Sequence, residues 1–114
     1  MKIPQTIRLN GVDFCVELCE NINDGEKVLY GDVRYGLARI RLNTANQDHQ
    51  RMCITLWHEL FHAVCEMNSI DLGDNEERVM DAFAFAVYQI LQDNGGKLFD
   101  LQALGGDVNG DPKR

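Results

Sequence analysis

The sequence predicts an α+β fold in which an N-terminal twisted sheet, antiparallel or mixed, precedes two packed helices. Before residue 43, apolar and polar residues alternate at several places, which is typical of half-buried strands. From residue 45 onward, apolar residues recur every three or four positions, as in helices. The chain has 114 residues, 45% of them apolar. These values fit one domain, which we place at residues 1–94, with a tail over 95–114.

The strands are expected in two groups. In Thr6–Leu18, two alternating runs flank Asn10-Gly11, and this arrangement predicts a hairpin because both residues tolerate positive φ. A third strand is predicted over Val28–Tyr35, broken or bulged at Gly31. A fourth is predicted over Leu37–Leu42, where apolar residues alternate with arginines.

Two helices should follow the strands. Thr44 and Gln47 have the spacing of a capping box, which predicts a helix from about Ala45 to Met67. A second helix is predicted over 75–92, ended by Asp93-Asn94-Gly95-Gly96. Its expected buried stripe consists of Val79, Met80, Phe83, Val87, Ile90 and Leu91. Beyond it lies a Gly- and Asp-rich end, of which we expect about the last ten residues to be disordered.

Charge and hydropathy exclude several classes of partner. The formal net charge is −7, which disfavours a nucleic-acid-binding surface because that requires clustered Lys and Arg. No apolar run approaches the roughly 18–20 residues that span a bilayer, and no secretory signal is visible. We therefore expect a cytoplasmic protein that has no nucleic-acid or membrane partner.

The four cysteines are Cys15, Cys19, Cys53 and Cys65. Without a secretory signal, reduced thiols are the expected state. We expect buried or half-buried cysteines that pack as small apolar groups. The alternative, an all-cysteine zinc site, is disfavoured because Cys15 and Cys19 are four residues apart, a looser spacing than zinc knuckles use.

The chemically informative string is His58-Glu59-Leu60-Phe61-His62, which has the form H-E-x-x-H. Residues four apart share one face of a helix, so both imidazoles can reach one Zn²⁺ ion. Glu59 is then placed to act as general base on a water molecule activated by the metal. A chance match in a chain this short is expected on the order of a few times in a thousand. The motif therefore predicts a zinc centre.

A catalytic zinc needs a third protein ligand, and the candidates are Glu76, Glu77 and Asp81 on the second helix. Glu77 is favoured and Glu76 is the alternative. Asp81, four residues after Glu77, can accept a hydrogen bond from the N–H of a metal-binding imidazole without binding the metal itself. Against this, Glu77 would occupy a capping-box position if Asp74 were the N-cap. Glu66 is disfavoured because it continues along the helix of the histidines.

At this point the chain resembles the minimal gluzincin-type metallopeptidases, and in particular the short, phage-associated ImmA/IrrE metallo-endopeptidases. The resemblance covers about residues 1–94. It is carried by residues 31–35 (GDVRY), by 55–63 (TLWHELFHA), and by Glu76-Glu77 with 81–84 (DAFA) and 88–91 (YQIL). It implies a zincin-like fold, His58, His62 and Glu77 as metal ligands, Glu59 as general base, and a sheet edge that can hold an extended peptide.

Three functional hypotheses follow. The first is a zinc endopeptidase acting on peptides or proteins by metal-activated water. The second is a catalytically silent, zinc-bearing interaction module of phage or mobile-element origin. The third is a structural helix pair without metal. A peptidase also needs a donor to the transition-state oxyanion, for which His49, Tyr35, Tyr88 and Arg78 are candidates that the sequence does not rank. Oligomeric state is not predicted.

Overall fold

The computed structural model describes residues 2–99 and confirms the α+β layout of a sheet followed by two packed helices. The expected disorder of the last ten residues falls outside this range. Short 3₁₀ turns lie at Tyr35–Leu37, Gly73–Asn75 and Gly95–Phe99. The main elements are β1 (Thr6–Leu9), β2 (Val12–Cys19), β3 (Gly31–Arg34), β4 (Arg39–Asn43), α1 (His49–Met67) and α2 (Glu76–Asn94).

The sheet is mixed, with strand order β1-β2-β4-β3. β1 and β2 form the predicted antiparallel hairpin, and its turn residues Asn10 and Gly11 have φ values of 50° and 80°. β3 and β4 form a second antiparallel pair. β2 and β4 are parallel neighbours and join the two pairs at the centre of the sheet. β3 is consequently an edge strand.

The third strand lies within the predicted Val28–Tyr35 but spans only Gly31–Arg34, so its predicted start was wrong. Val28 makes only an isolated bridge with Asn23. Gly31 is not a bulge: it pairs in register with Leu42. A Cβ at Gly31 would lie 2.6 Å from the Arg41 carbonyl oxygen and 2.9 Å from Thr55 Cγ2. Glycine is needed here because the edge strand passes very close to β4 and α1.

The fourth strand also begins later than predicted, at Arg39. Ala38 has φ 48° and ends the 3₁₀ turn Tyr35–Leu37, so the chain reaches extended geometry only after it. Ile40 and Leu42 are fully buried, whereas Arg39 and Arg41 are only half-buried, as the alternation predicted.

The first helix begins at His49 and not at Ala45, so the predicted capping box was wrong. Asp48 is the N-cap, and its carboxylate accepts a hydrogen bond from the Arg51 amide at 2.8 Å. Thr44 instead donates its hydroxyl to the Cys19 carbonyl. Gln47 donates to the carbonyls of Tyr30 and Asn43, both at 2.7 Å. Both side chains are thus used in tertiary contacts.

α1 packs against β3 and β4, and α2 packs chiefly against α1. The core between α1 and the sheet consists of Phe14, Val16, Ile40, Leu42, Leu56, Leu60 and Ala63. On α2 the buried residues are Met80, Ala84 and Tyr88. The predicted stripe was wrong at Phe83 and Ile90, which are 55% and 45% exposed. Because α2 packs mainly on one helix, only a narrow stripe of it is covered.

None of the four cysteines forms a disulfide bond. Cys53 and Cys65 are buried and Cys19 is half-buried, as expected, but Cys15 is exposed. Cys15 lies on β2 with the opposite parity to the buried Phe14, and so on the face of the sheet away from α1. Within residues 2–99, no helix combines the length and hydropathy that crossing a membrane requires.

Candidate metal centre

His58 and His62 lie one turn apart on α1, with their ring centroids 4.7 Å apart. Their Nε2 atoms are 3.1 Å apart. Both rings are largely shielded from solvent, with exposed side-chain fractions of 16% and 12%. The four-residue spacing thus brings one nitrogen of each ring to a common point, as the motif predicted.

Glu77 reaches this point from α2. Its Oε1 lies 3.2 Å from His58 Nε2, and its Oε2 lies 2.8 Å from His62 Nε2. Ligand atoms of His58, His62 and Glu77 all lie within 4.8 Å of one another. Among residues 2–99 these three form the group able to share a metal ion, and no cysteine belongs to it.

Glu77 does not have the capping-box position considered above. Asp74 lies in the 3₁₀ turn Gly73–Asn75, and Asn75 is the N-cap of α2, without a side-chain capping hydrogen bond. Glu77 is therefore the second residue of the helix, and its carboxylate is directed at the histidines. Glu77 thus contacts the two histidines and does not complete a capping box.

The outer nitrogen of each imidazole faces a different carboxylate. His58 Nδ1 lies 2.8 Å from Asp81 Oδ1, and His62 Nδ1 lies 2.7 Å from Glu76 Oε2. Asp81 occupies the place expected for a residue that holds an imidazole N–H. Glu76, the alternative ligand, takes the equivalent place on His62 and does not reach the inner nitrogens. Such carboxylates fix the ring orientation and tautomer of metal-binding histidines.

This hydrogen bonding makes the centre suited to a cation. A neutral imidazole that donates from Nδ1 carries a lone pair on Nε2. Two such lone pairs and the Glu77 carboxylate then converge, and three acceptors at this separation repel one another unless a cation lies between them. Two imidazoles with one carboxylate match the ligand set of catalytic zinc sites. The residues present therefore fit Zn²⁺.

Glu59 lies beside the histidines, on the next position of α1, and is only 7% exposed. Burial raises its pKa to about 7, with smaller contributions from the negative charges of Glu77 and Asp32 and an opposing one from His62. A carboxyl group with this pKa can exchange a proton near neutral pH, which is the property required of a general base.

Glu59 and His58 line a cleft of about 260 Å³ between α1 and the start of β3. The other lining residues are Leu29, Tyr30, Gly31, Arg51, Ile54, Thr55, Glu77 and Asp81. Because β3 is an edge strand, its outer backbone groups are not paired within the sheet. The cleft therefore has the start of this edge strand on one wall and the His58 imidazole on the other.

The wall is fixed by residues that the sequence reasoning missed. Thr55 donates to the Gln47 side chain at 2.8 Å, and Gln47 in turn donates to the Tyr30 carbonyl. The Arg51 guanidinium lies over the Tyr30 ring, 4.6 Å from its centroid. Thr55 could have indicated this network from the sequence, because it is a polar residue four positions before Glu59 on the buried side of α1.

The four candidate oxyanion donors occupy different environments. His49 begins α1 close to Cys53, and Arg78 donates to Asn75. Tyr88 is buried in the core between α1 and α2. Burial, and then the charges of Glu66, Glu59 and Glu76, raise the pKa of Tyr35 to about 12. A phenol with this pKa stays protonated and can donate a hydrogen bond.

No protein-family model, curated protein or solved structure matches this chain. The functional conclusion therefore depends on the geometry of the centre and on the motif.

Proposed function

We propose that this protein is a zinc-dependent endopeptidase of the minimal gluzincin type, similar to the short ImmA/IrrE metallo-endopeptidases. One observation carries the proposal. The Nε2 atoms of His58 and His62 converge with the Glu77 carboxylate, while Asp81 and Glu76 hold the two Nδ1 atoms. This arrangement leaves a metal-binding face directed away from the two outer carboxylates, next to the buried Glu59.

His58, His62 and Glu77 are the residues that would hold the ion. When bound, zinc lowers the pKa of a coordinated water to near 7 and polarises a carbonyl oxygen. Three protein ligands leave a position open for water or substrate, as in catalytic rather than structural sites. Asp81 and Glu76 keep the rings in the tautomer that directs Nε2 inward.

Glu59 acts first as a base and then as an acid. Its carboxylate takes a proton from the water that attacks the scissile carbonyl carbon, and it then delivers that proton to the departing amine nitrogen. Burial on α1 limits competition from bulk water, and a pKa of about 7 for the carboxyl group allows both transfers near neutral pH. The Tyr35 hydroxyl is the favoured donor to the developing oxyanion.

The substrate is an extended peptide segment. It would add to the outer edge of β3, through the backbone groups that the sheet leaves unpaired, and cross the cleft in front of Glu59. Gly31 allows this edge to lie close to α1, which brings a bound backbone near the centre. We place the activity in the cytoplasm, where reduced cysteines are the normal state.

A second candidate is a zinc-bearing interaction module that does not cut. The observation favouring it is an apolar side of α2 on which Phe83 and Ile90, seven residues apart, are 55% and 45% exposed. Exposed apolar clusters are typical of protein-binding surfaces. Both candidates require the metal centre, so metal content tests them together and hydrolysis separates them.

Metal content is measured by elemental mass spectrometry on zinc-reconstituted protein, alongside His62→Ala, Glu77→Ala and the control Asp93→Asn. Asp93 lies at the far end of α2 and bonds with Gln89. About one zinc per chain, lost in the first two variants and kept in the control, is expected. Absence of zinc from the natural chain would refute both candidates.

Hydrolysis is then measured with a peptide library digested by the zinc-loaded protein. Cleavage should stop on adding a chelator and in Glu59→Gln, which keeps the zinc but lacks the proton acceptor. Cleavage by Glu59→Gln at the natural rate would refute the mechanism. A zinc-loaded chain that cuts no peptide would favour the interaction module.

A further inference from the structure

A second cavity lies on another face of α1. It is an apolar groove of about 830 Å³, walled by Ile7 and Leu9 of β1, by Trp57 and Phe61 of α1, and by Leu91 and Gly95 at the end of α2. Trp57 and Phe61 each precede a histidine of the centre, so they point about 100° away from it around the helix. The groove is therefore separate from the catalytic cleft.

The groove exists because one helix is too narrow for the sheet. The axes of β1 and β3 are separated by three strand spacings, or roughly 14 Å. A helix is about 10 Å wide, and α1 packs on the β3–β4 side while α2 packs on α1. The β1 side therefore lacks a helix above it, which leaves the apolar side chains Ile7 and Leu9 only half-buried.

The chain leaves α2 at this groove. Gln92 and Gly95 line it, and Gly95, with φ 54°, ends the helix there. The 3₁₀ turn Gly95–Phe99 follows and leaves Leu98 43% exposed. In the sequence beyond Phe99, Leu101 and Leu104 continue at three-residue intervals from Leu98 and are followed by Gly105-Gly106.

We propose that residues 100–104 of this chain fill the groove, with Leu101 and Leu104 packed against Trp57 and Phe61. As a continued 3₁₀ turn, which places residues three apart on one side, the five residues from Phe99 to Leu104 would extend about 10 Å. The α1 wall from Trp57 to Val64 is seven residues, or about 10 Å, long. The segment is therefore long enough to run along the whole wall.

The charges of the groove and of the proposed segment are complementary. The groove's charged lining residues are Lys2 and Arg8, both cationic, and Arg8 also pairs with Asp13 of β2 at 2.8 Å. The segment begins with Asp100, and Asp107 follows the glycine pair. An apolar pair of leucines between two acidic residues thus matches an apolar groove with a basic rim.

The test uses Trp57, the single tryptophan of the chain, as a reporter in the groove. Fluorescence emission and quenching by acrylamide are compared for the full chain, for the double variant Leu101→Ser/Leu104→Ser, and for the control Val108→Ser. We expect the emission of Trp57 to shift to longer wavelength, and acrylamide to quench it more readily, in the double variant only. Far-UV circular dichroism checks that the helices persist.

A second measurement covers the case in which the double variant unfolds. A peptide of residues 98–108 is added to the chain shortened after Phe99, and it should restore shielding of Trp57, whereas its Leu101→Ser/Leu104→Ser version should not. Identical Trp57 quenching in the full chain and the folded double variant would overturn the proposal. Shielding of Trp57 that rises with protein concentration and is unchanged by Leu101→Ser/Leu104→Ser would also overturn the proposal. That result would assign the groove to a second copy of the chain.

Discussion

The carboxylates behind the two imidazoles should contribute unequally to zinc affinity. Glu76 and Asp81 accept from His62 and His58 at nearly equal distances, 2.7 and 2.8 Å, but their side chains are 33% and 65% exposed. Removing such a partner typically lowers metal affinity 10–100-fold. Water can replace the more exposed Asp81 more readily, because solvent screens an exposed charge.

We therefore expect Glu76→Gln to weaken zinc binding by about 100-fold, or roughly 2.7 kcal/mol, and Asp81→Asn by about 10-fold, or roughly 1.4 kcal/mol. Both substitutions keep shape and an acceptor oxygen but remove the negative charge. Each variant should still bind one zinc at saturating metal, since the three ligands remain.

The assay is competition with a chromophoric zinc chelator at neutral pH, with Asp93→Asn as the matched control on the same helix. The control should retain the affinity of the natural chain. Equal affinities for all four proteins, or a larger loss for Asp81→Asn than for Glu76→Gln, would refute the reasoning from burial.

Three further predictions concern the metal-free protein and its scaffold. Gly31→Ala should lower the free energy of unfolding by about 1–3 kcal/mol in urea titrations, because its Cβ would overlap the Arg41 carbonyl. Gly36→Ala, where a Cβ meets nothing within 4 Å, is the control, and equal losses would contradict the close approach. Glu59→Gln should stabilise the metal-free chain increasingly between about pH 4.5 and 7, by up to about 3 kcal/mol. Burial raises the folded-state pKa of Glu59 to about 7, so the natural chain loses stability across that window as its carboxyl ionises; a difference independent of pH would contradict this. Gln47→Ala should cost about 1–3 kcal/mol in thermal or urea unfolding, since its contacts with Tyr30, Asn43 and Thr55 are lost. Exposed Gln5→Ala serves as the comparison, and equal stability of the two variants would show that the Gln47 network is not stabilising.

Local patterns predicted most of the fold. The Asn10-Gly11 hairpin and both helices follow from turn chemistry and apolar spacing, which act within a few residues. The parallel pairing of β2 with β4 was left open, because it depends on contacts far apart in sequence. The cap at Asp48 was missed for a related reason: Thr44 and Gln47 bond with Cys19 of β2, Asn43 of β4 and Tyr30 just before β3, partners that the local pattern does not reveal.

In the candidate site, too, the features that depend on one helix were predictable, whereas those that depend on the packing of two helices were not. The pairing of His58 with His62 is a property of one helix, so the motif was sufficient to place them together. The choice between Glu76 and Glu77 depends on how α2 is rotated against α1, which the sequence alone did not fix. The structure directs Glu77 at both Nε2 atoms and Glu76 at Nδ1 of His62. Zinc binding and hydrolysis stay predictions.

The central position of β4 has a consequence for the rate of folding. Each hairpin closes between neighbouring segments, but β2 and β4 pair across an intervening stretch that includes β3. Non-local pairing requires a larger loop to close first, and it slows folding relative to hairpins and helices. We therefore expect the joining of the two hairpins to limit the folding rate. The strand edge beside the candidate metal centre would then reach its final position only at that slow step.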